Sequence, residues 1–156
     1  MSRKNTIKKR PIICDVQYDS QLVSMLINRI LKKGKKSLAT KICYQAMQTV
    51  QEKTDTAALD VLQRSISNLT PTVEVKSKRV GGSTYQVPHE VTEIRGQTLA
   101  LCWLIQSANT RSERGMVLRL ANEIIDASNE TGSAFRKREE THRIAAANKA
   151  FAHYRF

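Results

Sequence analysis

No apolar run in this chain of 156 residues reaches the roughly 18 to 20 residues that a bilayer span needs. The longest candidate, around residues 99–105, fits a buried helix instead. The basic opening MSRKNTIKKRPII lacks the apolar h-region and small-residue cleavage site of a secretory signal, and a transit peptide would be longer and richer in Ser. The expectation is a soluble protein that works in the compartment where it is made. Cysteine is scarce too: Cys14, Cys43 and Cys102 are odd in number, far apart and without C-x-x-C or Cys/His ligand spacing. Neither a disulfide framework nor a zinc site is suggested, so they read as small buried or half-buried thiols in a reducing compartment.

Catalytic patterns are missing as well. GKKS at 34–37 has Arg29 where a phosphate-binding loop needs its upstream glycine, and Lys36 where that loop needs Ser or Thr. EETH at 139–142 puts Glu139, Glu140 and His142 within one helical turn, but the spacing is not H-E-x-x-H and nothing completes a metal site. His89 and His153 have no recognisable Ser or Cys nucleophile beside them. No catalytic constellation is recognisable in these residues, and the expectation is a protein that is not an enzyme and uses no cofactor, metal or small-molecule substrate.

Acidic charge is the remaining shortage. Lys and Arg number 26 against 14 Asp and Glu, a net charge of +12, which marks a phosphate-rich partner or an anionic membrane surface. Up to Lys41 there are eleven basic residues and only Asp15 and Asp19 as acids, so eleven minus two, or nine of the twelve excess charges, lie there. A membrane-surface helix wants an exposed Trp, Phe and Leu face, whereas the apolar residues here are needed for a core.

What is present is mostly helical. With 40% hydrophobic residues the chain supports one core, and we expect a basic extension over 1–19 followed by a single helical domain over 20–156. Over 20–33, Leu22, Leu26 and Ile30 with Val23, Ile27 and Leu31 recur at helical spacing, and Gly34 stops the run. A second stripe follows, with Leu38, Ile42, Ala46 and Val50 widened by Ala39, Cys43 and Met47. A third helix is expected with Thr56 as its cap and Leu59, Leu62, Ile66 and Leu69 on its buried face, ending before Pro71. A fourth helix opens at Thr92; its centre LALCWLI is apolar all round and suits the middle of a bundle, with Trp103 anchoring the core. The basic loop NTRSERG leads to a fifth helix carrying Val117, Leu120, Ala121 and Ile124, which Gly132 ends. The last helix runs from Ser133 to about Ala150, part of a basic carboxyl-terminal segment over 133–156.

Residues 72–91, TVEVKSKRVGGSTYQVPHEV, differ in kind. Val73 and Val75 alternate with polar residues, as do Tyr85, Val87 and Val91, the period of two that marks a ribbon; Gly81 and Gly82 supply the reversal. Strands of about seven residues at roughly 3.3 Å each give an arm of some 20 Å. An isolated two-stranded ribbon is marginal in water, so one bearing Lys76, Lys78 and Arg79 is expected to be held by something else, and its charge names a polyanion.

Basic side chains on helices are usually solvated surface. Here they cluster at element ends and loops, at 3–10, 32–36, 76–79, 111–114 and 136–138, and could converge on one side of the bundle to neutralise phosphates. The candidate phosphate-binding residues, which the resemblance given below assigns to RNA, are Arg3, Lys4, Lys8, Lys9 and Arg10 in the extension, and Arg29, Lys32, Lys33, Lys35 and Lys36 around the first turn. The ribbon adds Lys76, Lys78, Arg79, Gly81, Gly82 and Tyr85. Arg95, Arg111, Arg114 and Arg119 follow, with Arg136, Lys137, Arg138, His142 and Arg143 in the last helix. Tyr85 and His142 are candidates for stacking or hydroxyl contacts, and Tyr85 serves equally well as ribbon packing.

Three collinear motifs carry a resemblance: LINRILKKGKKSLA at 26–39, TPTVEVKSKRVGGSTYQVP at 70–88 and RKREETHRIAAANKAFAHYR at 136–155. With them the chain resembles the small-subunit ribosomal protein seven family in its bacterial and plastid form, over nearly its whole length. The resemblance implies a mainly α fold, a bundle of about six helices with one β-hairpin arm protruding between the third and fourth. It implies binding to the 3′ major domain of small-subunit ribosomal RNA and nucleation of head assembly. The amino terminus, the 32–36 turn, the hairpin and the 111–114 loop would contact RNA, and the hairpin tip would lie near exit-site tRNA and the messenger path. Other head proteins and a platform protein at the exit channel are implied partners, with no membrane and no small-molecule substrate. Departures are modest: Glu113 dilutes the basic loop, Cys43 and Cys102 take buried helix positions, and Asn129 and Glu130 make the fifth helix end less basic. The EETH form and the stop at Phe156 resemble plastid members, which points to ribosomes of the chloroplast stroma, with the bacterial cytoplasm as the alternative. A free helix-turn-helix regulator would need a recognition helix with exposed Asn, Gln or Arg beside a tight turn, and no segment offers one clearly. An RNA-modifying enzyme would need a nucleotide or metal site that the sequence does not show.

Overall fold

A computed structural model describes residues 11–154; the cations Arg3, Lys4, Lys8, Lys9 and Arg10 lie outside the described residues. Three helices come first: α1 (Gln21–Ile30), α2 (Lys36–Thr54) and α3 (Ala58–Leu69). The ribbon β1 (Val73–Val80) and β2 (Ser83–Glu90) follows, then α4 (Glu93–Thr110), α5 (Met116–Ser128), α6 (Gly132–Ala147) and a short 3-10 helix over Lys149–Tyr154. The expected architecture of about six helices with one hairpin between the third and fourth is the one adopted.

Helix ends follow local chemistry. Thr70 is extended because Pro71 disfavours the helical region before it, and α3 stops at Leu69. Asp55 closes α2 in the left-handed region at φ 51°. The first helix ends at Ile30, three residues earlier than its periodicity suggests: Lys33 and Gly34 take φ values of 52° and 74° and form a turn. Thr56 is not the cap of α3. That place belongs to Ala57, which offers no side-chain acceptor, while the Thr56 hydroxyl bonds Thr54 Oγ1 at 3.0 Å.

One contiguous core joins Val23, Leu26 and Ile27 of α1, Cys43, Met47 and Val50 of α2, and Leu62, Ile66 and Leu69 of α3 to Leu101 and Leu104 of α4 and Leu120 and Ile124 of α5. Full burial of each such side chain contributes about 1.5–3 kcal/mol. The centre is shared by two helices: α4 packs on α1, α3, α5 and α6, and α5 on α2, α3, α4 and α6. Trp103 lies outside that core. It is half-buried and lines a hollow with Val75 of the ribbon, Leu99, and Thr141 and Ile144 of α6, because the fourth helix turns one side of its apolar centre toward the arm.

The ribbon pairs Val80 with Ser83, leaving Gly81 and Gly82 as a two-residue loop with φ of 57° and 90°. Positive φ at both central residues matches the twist of the flanking strands, and glycine reaches it without steric cost. Val73 and Val75 lie opposite Glu90 and Pro88, whereas Val87 and Tyr85 lie opposite Lys76 and Lys78. Cross-strand partners share a face, so the two apolar rows occupy opposite faces of the ribbon.

Both rows are covered near the base. Val73 and Pro88 share a hollow with His142, Ala145 and Ala146 of α6 and Ala152 of the 3-10 helix. Val87 is fully buried, and the Tyr85 ring packs 5.0 Å from Phe151 at a tilt of 47°. At its base the ribbon is supported by the protein's own carboxyl-terminal elements.

Candidate nucleic-acid interface

Exposure sorts the candidate cations. Arg29, Lys32, Lys33, Lys35, Lys36, Lys76, Arg79, Arg95, Arg114, Arg136 and Arg143 are exposed; Lys78, Arg111, Arg119, Lys137, Arg138 and His142 are half-buried. The richest exposed group is the turn between α1 and α2, held by backbone bonds from Lys35 N–H to the Lys32 carbonyl at 3.2 Å and from Lys36 N–H to the Gly34 carbonyl at 2.8 Å. The first turn of α2 contains no acid, so the positive end of the helix dipole adds to the lysines. Lys32, Lys33, Lys35 and, across from them, Arg119 line one open groove of about 450 Å³. Ribbon residues do not line it.

On the ribbon, Glu74 forms ion pairs with Lys76 at 2.9 Å and with Arg95 of α4 at 3.2 Å. The Lys76 ammonium and then Arg95 outweigh burial and hold the Glu74 carboxyl below the usual carboxylate range. This clasp ties the base of the arm to the start of α4 and cancels part of its charge. Arg79 and the two glycines stay exposed at the tip. His142 accepts a 3.3 Å bond from Thr72 N–H through Nε2, so the imidazole fastens the ribbon's first residues to α6. Burial, and after it the Arg138 charge, lower its pKa and favour the neutral ring that can accept.

The 111–114 loop divides. Arg114 is exposed, but Arg111 turns inward: Nε donates to Glu123 Oε2 at 2.6 Å, Nη1 to Glu113 at 3.0 Å, and Nη2 to Asp126. Burial works against the charge on Arg111, yet Glu123, Asp126 and Glu113 together outweigh it and raise its pKa further above the ordinary range. Glu123 is fully buried, and its other oxygen accepts Ala134 N–H at 2.8 Å. It thus caps the first turn of α6, where Thr131 makes no side-chain cap. Arg138 lies 5.3 Å over the Phe135 ring, and Arg136 and Arg143 share a hollow with Glu139 and Glu140.

Sequence reasoning missed the acids that position this surface. No sequence pattern singles out Glu74, Glu123 or Asp126; the three-residue spacing places Glu123 and Asp126 on one helix face but does not name Arg111 as their partner. Asp15 is a further case: both its carboxylate oxygens accept from the Tyr44 hydroxyl, at 2.9 and 3.0 Å, pinning the segment that leads into α1. Burial, and then this carboxylate, push the Cys43 thiol up to about 12, which leaves it unreactive. Among the described residues no group of His, Cys, Asp and Glu is arranged to hold a metal ion.

A packed helical body that presents lysines on a turn and on an anchored ribbon defines a binding protein, one that works through its surface. The chain belongs to the ribosomal protein S7p/S5e family, whose model matches residues 2–149. It is 58% identical to small ribosomal subunit protein uS7 of Nostoc punctiforme, 59% to that of Gloeothece citriformis and 57% to that of Thermosynechococcus vestitus, each over 156 residues and the whole of both chains. The protein is accordingly a small-subunit ribosomal protein with a structural role, and not an enzyme.

Proposed function

We propose that the protein binds the 3′ major domain of small-subunit ribosomal RNA and nucleates assembly of the subunit head. The observation that carries this reading is the exposed lysine turn at 32–36, fixed by its own backbone bonds beside an acid-free helix start. The exposed cations of the ribbon and Arg114 extend the surface, and the basic extension over 1–19 joins it. Arg111 and His142 act from within, as the parts that hold the loop and the arm in shape. Double-stranded RNA offers little base readout in its deep major groove, so recognition rests on phosphates and helix shape. The ribbon tip reaches toward exit-site tRNA and the messenger path, and the remaining surface meets other head proteins and a platform protein. The EETH form of α6 favours the chloroplast stroma, and the cyanobacterial relatives fit both that compartment and a bacterial cytoplasm.

Chemical footprinting of a 3′ major domain transcript with the full-length protein tests this reading. Protection of a compact set of helices in that domain is expected. Uniform weak protection over the transcript, equal to that on an unrelated RNA, would overturn it.

A further inference from the structure

The groove beside the 32–36 turn has a composition that phosphate binding alone does not explain. Its floor is Ile30, Ala39 and Ile105, all buried, and its walls include Leu38, which is 52% exposed, and the half-buried Met116. A leucine left half in water among four cations, Lys32, Lys33, Lys35 and Arg119, is an unpartnered apolar surface. The lysines gather at one rim, the Asn109 amide lies at the α4 end, and no acid lines the space. We propose that this groove receives one unstacked nucleotide of the bound RNA, with the base against Leu38 and Met116 and its phosphate at Lys32, Lys33 and Lys35.

This inference rests on the RNA-binding reading above and deepens it. A nucleotide is the ligand with matching asymmetry: a flat ring that stacks on apolar side chains, joined to one anionic group. The volume of about 450 Å³ falls within the roughly 300–1,000 Å³ of small-ligand sites. An amphipathic helix would instead need a longer trough for anchors at i, i+3, i+4 and i+7. The site is also formed in advance. Lys33 and Gly34 take left-handed conformations within a hydrogen-bonded turn, so the backbone that carries the rim lysines already has its shape.

The test uses Leu38→Ala in the full-length protein and a 3′ major domain transcript. Losing one stacked base weakens RNA binding about fivefold, while the dependence on salt stays unchanged because no phosphate contact is lost. Methyl resonances of Leu38, Ile42 and Met116 in the wild-type protein should move upfield in the complex under the ring current of the base. Leu38 is exposed, so an unchanged melting temperature shows that the variant is folded. Unchanged affinity with static methyls, while Lys35→Ala still weakens binding, overturns the nucleotide site and leaves the RNA-binding reading standing. Methyls that move only on incorporation into whole subunits assign the groove to a protein segment and overturn it as well. Absence of binding by the wild-type protein removes both readings.

Discussion

A fully buried carboxylate costs several kcal/mol of hydration unless it is paired and hydrogen-bonded. Glu123 meets both conditions with Arg111 and the first turn of α6, and it does so against Gly132. Gly132 has φ 90°, and a Cβ there would lie 3.0 Å from Asp126 Cβ and 3.2 Å from Glu123 Oε1. Gly132→Ala is therefore expected to destabilise by about 1–3 kcal/mol from backbone strain, with crowding added. Thermal unfolding checks it, at about 2–4 °C per kcal/mol for a chain of this size. Gly34→Ala is the comparison, having φ 74° but nothing within 4 Å; equal losses in the two variants would show that crowding against the acids plays no part. Little of this hub was legible in the sequence. Arg111 groups with Arg114 by proximity, but Glu123 and Asp126 lie twelve and fifteen residues away, a distance at which only the packing of α5 against the loop decides the pairing.

At the level of elements, the ribbon depends on α6 through His142. With its pKa lowered from 6.5, the folded protein keeps the ring neutral where the unfolded chain would already take a proton. Above 6.5 both states are neutral and the Thr72 bond is intact. As pH falls through 6.5 toward the lower folded value, the unfolded state binds the proton first and the attachment loses stability. Hydrogen exchange at Thr72 N–H, corrected for intrinsic rate, should lose protection over that window, and His142→Asn should remove the dependence. A protection factor flat with pH would contradict the role given to His142. Helical periodicity made Val23, Leu26, Leu62 and Leu120 readable as core and the ribbon readable from its alternation. It could not place Trp103, because an apolar helix centre states that neighbours exist without saying whether they are helices or an arm. It also could not show Leu38 exposed, since a stripe gives a face and not its coverage.

For the molecule as a whole, charge should act separately from fold. Replacing Lys76, Lys78 and Arg79 with Ala should weaken RNA binding and flatten its salt dependence, lowering the log–log slope by about 2. The figure is below three because Lys76 already shares Glu74 with Arg95. Helix content by circular dichroism should barely change, since all three positions lie on β1, away from the helices; an unaltered slope would contradict an RNA-binding arm. The arm's two-sided seat has a mechanical consequence. Clamped on both faces at its base and free at Gly81 and Gly82, it behaves as a cantilever, stiff enough to hold its tip at a set height above the body. Its length can change with the tip still facing the same way only in matched steps of two residues per strand, about 7 Å at a time, because one residue added to each strand beyond the seat would leave Val87 in place and carry Arg79 to the opposite face.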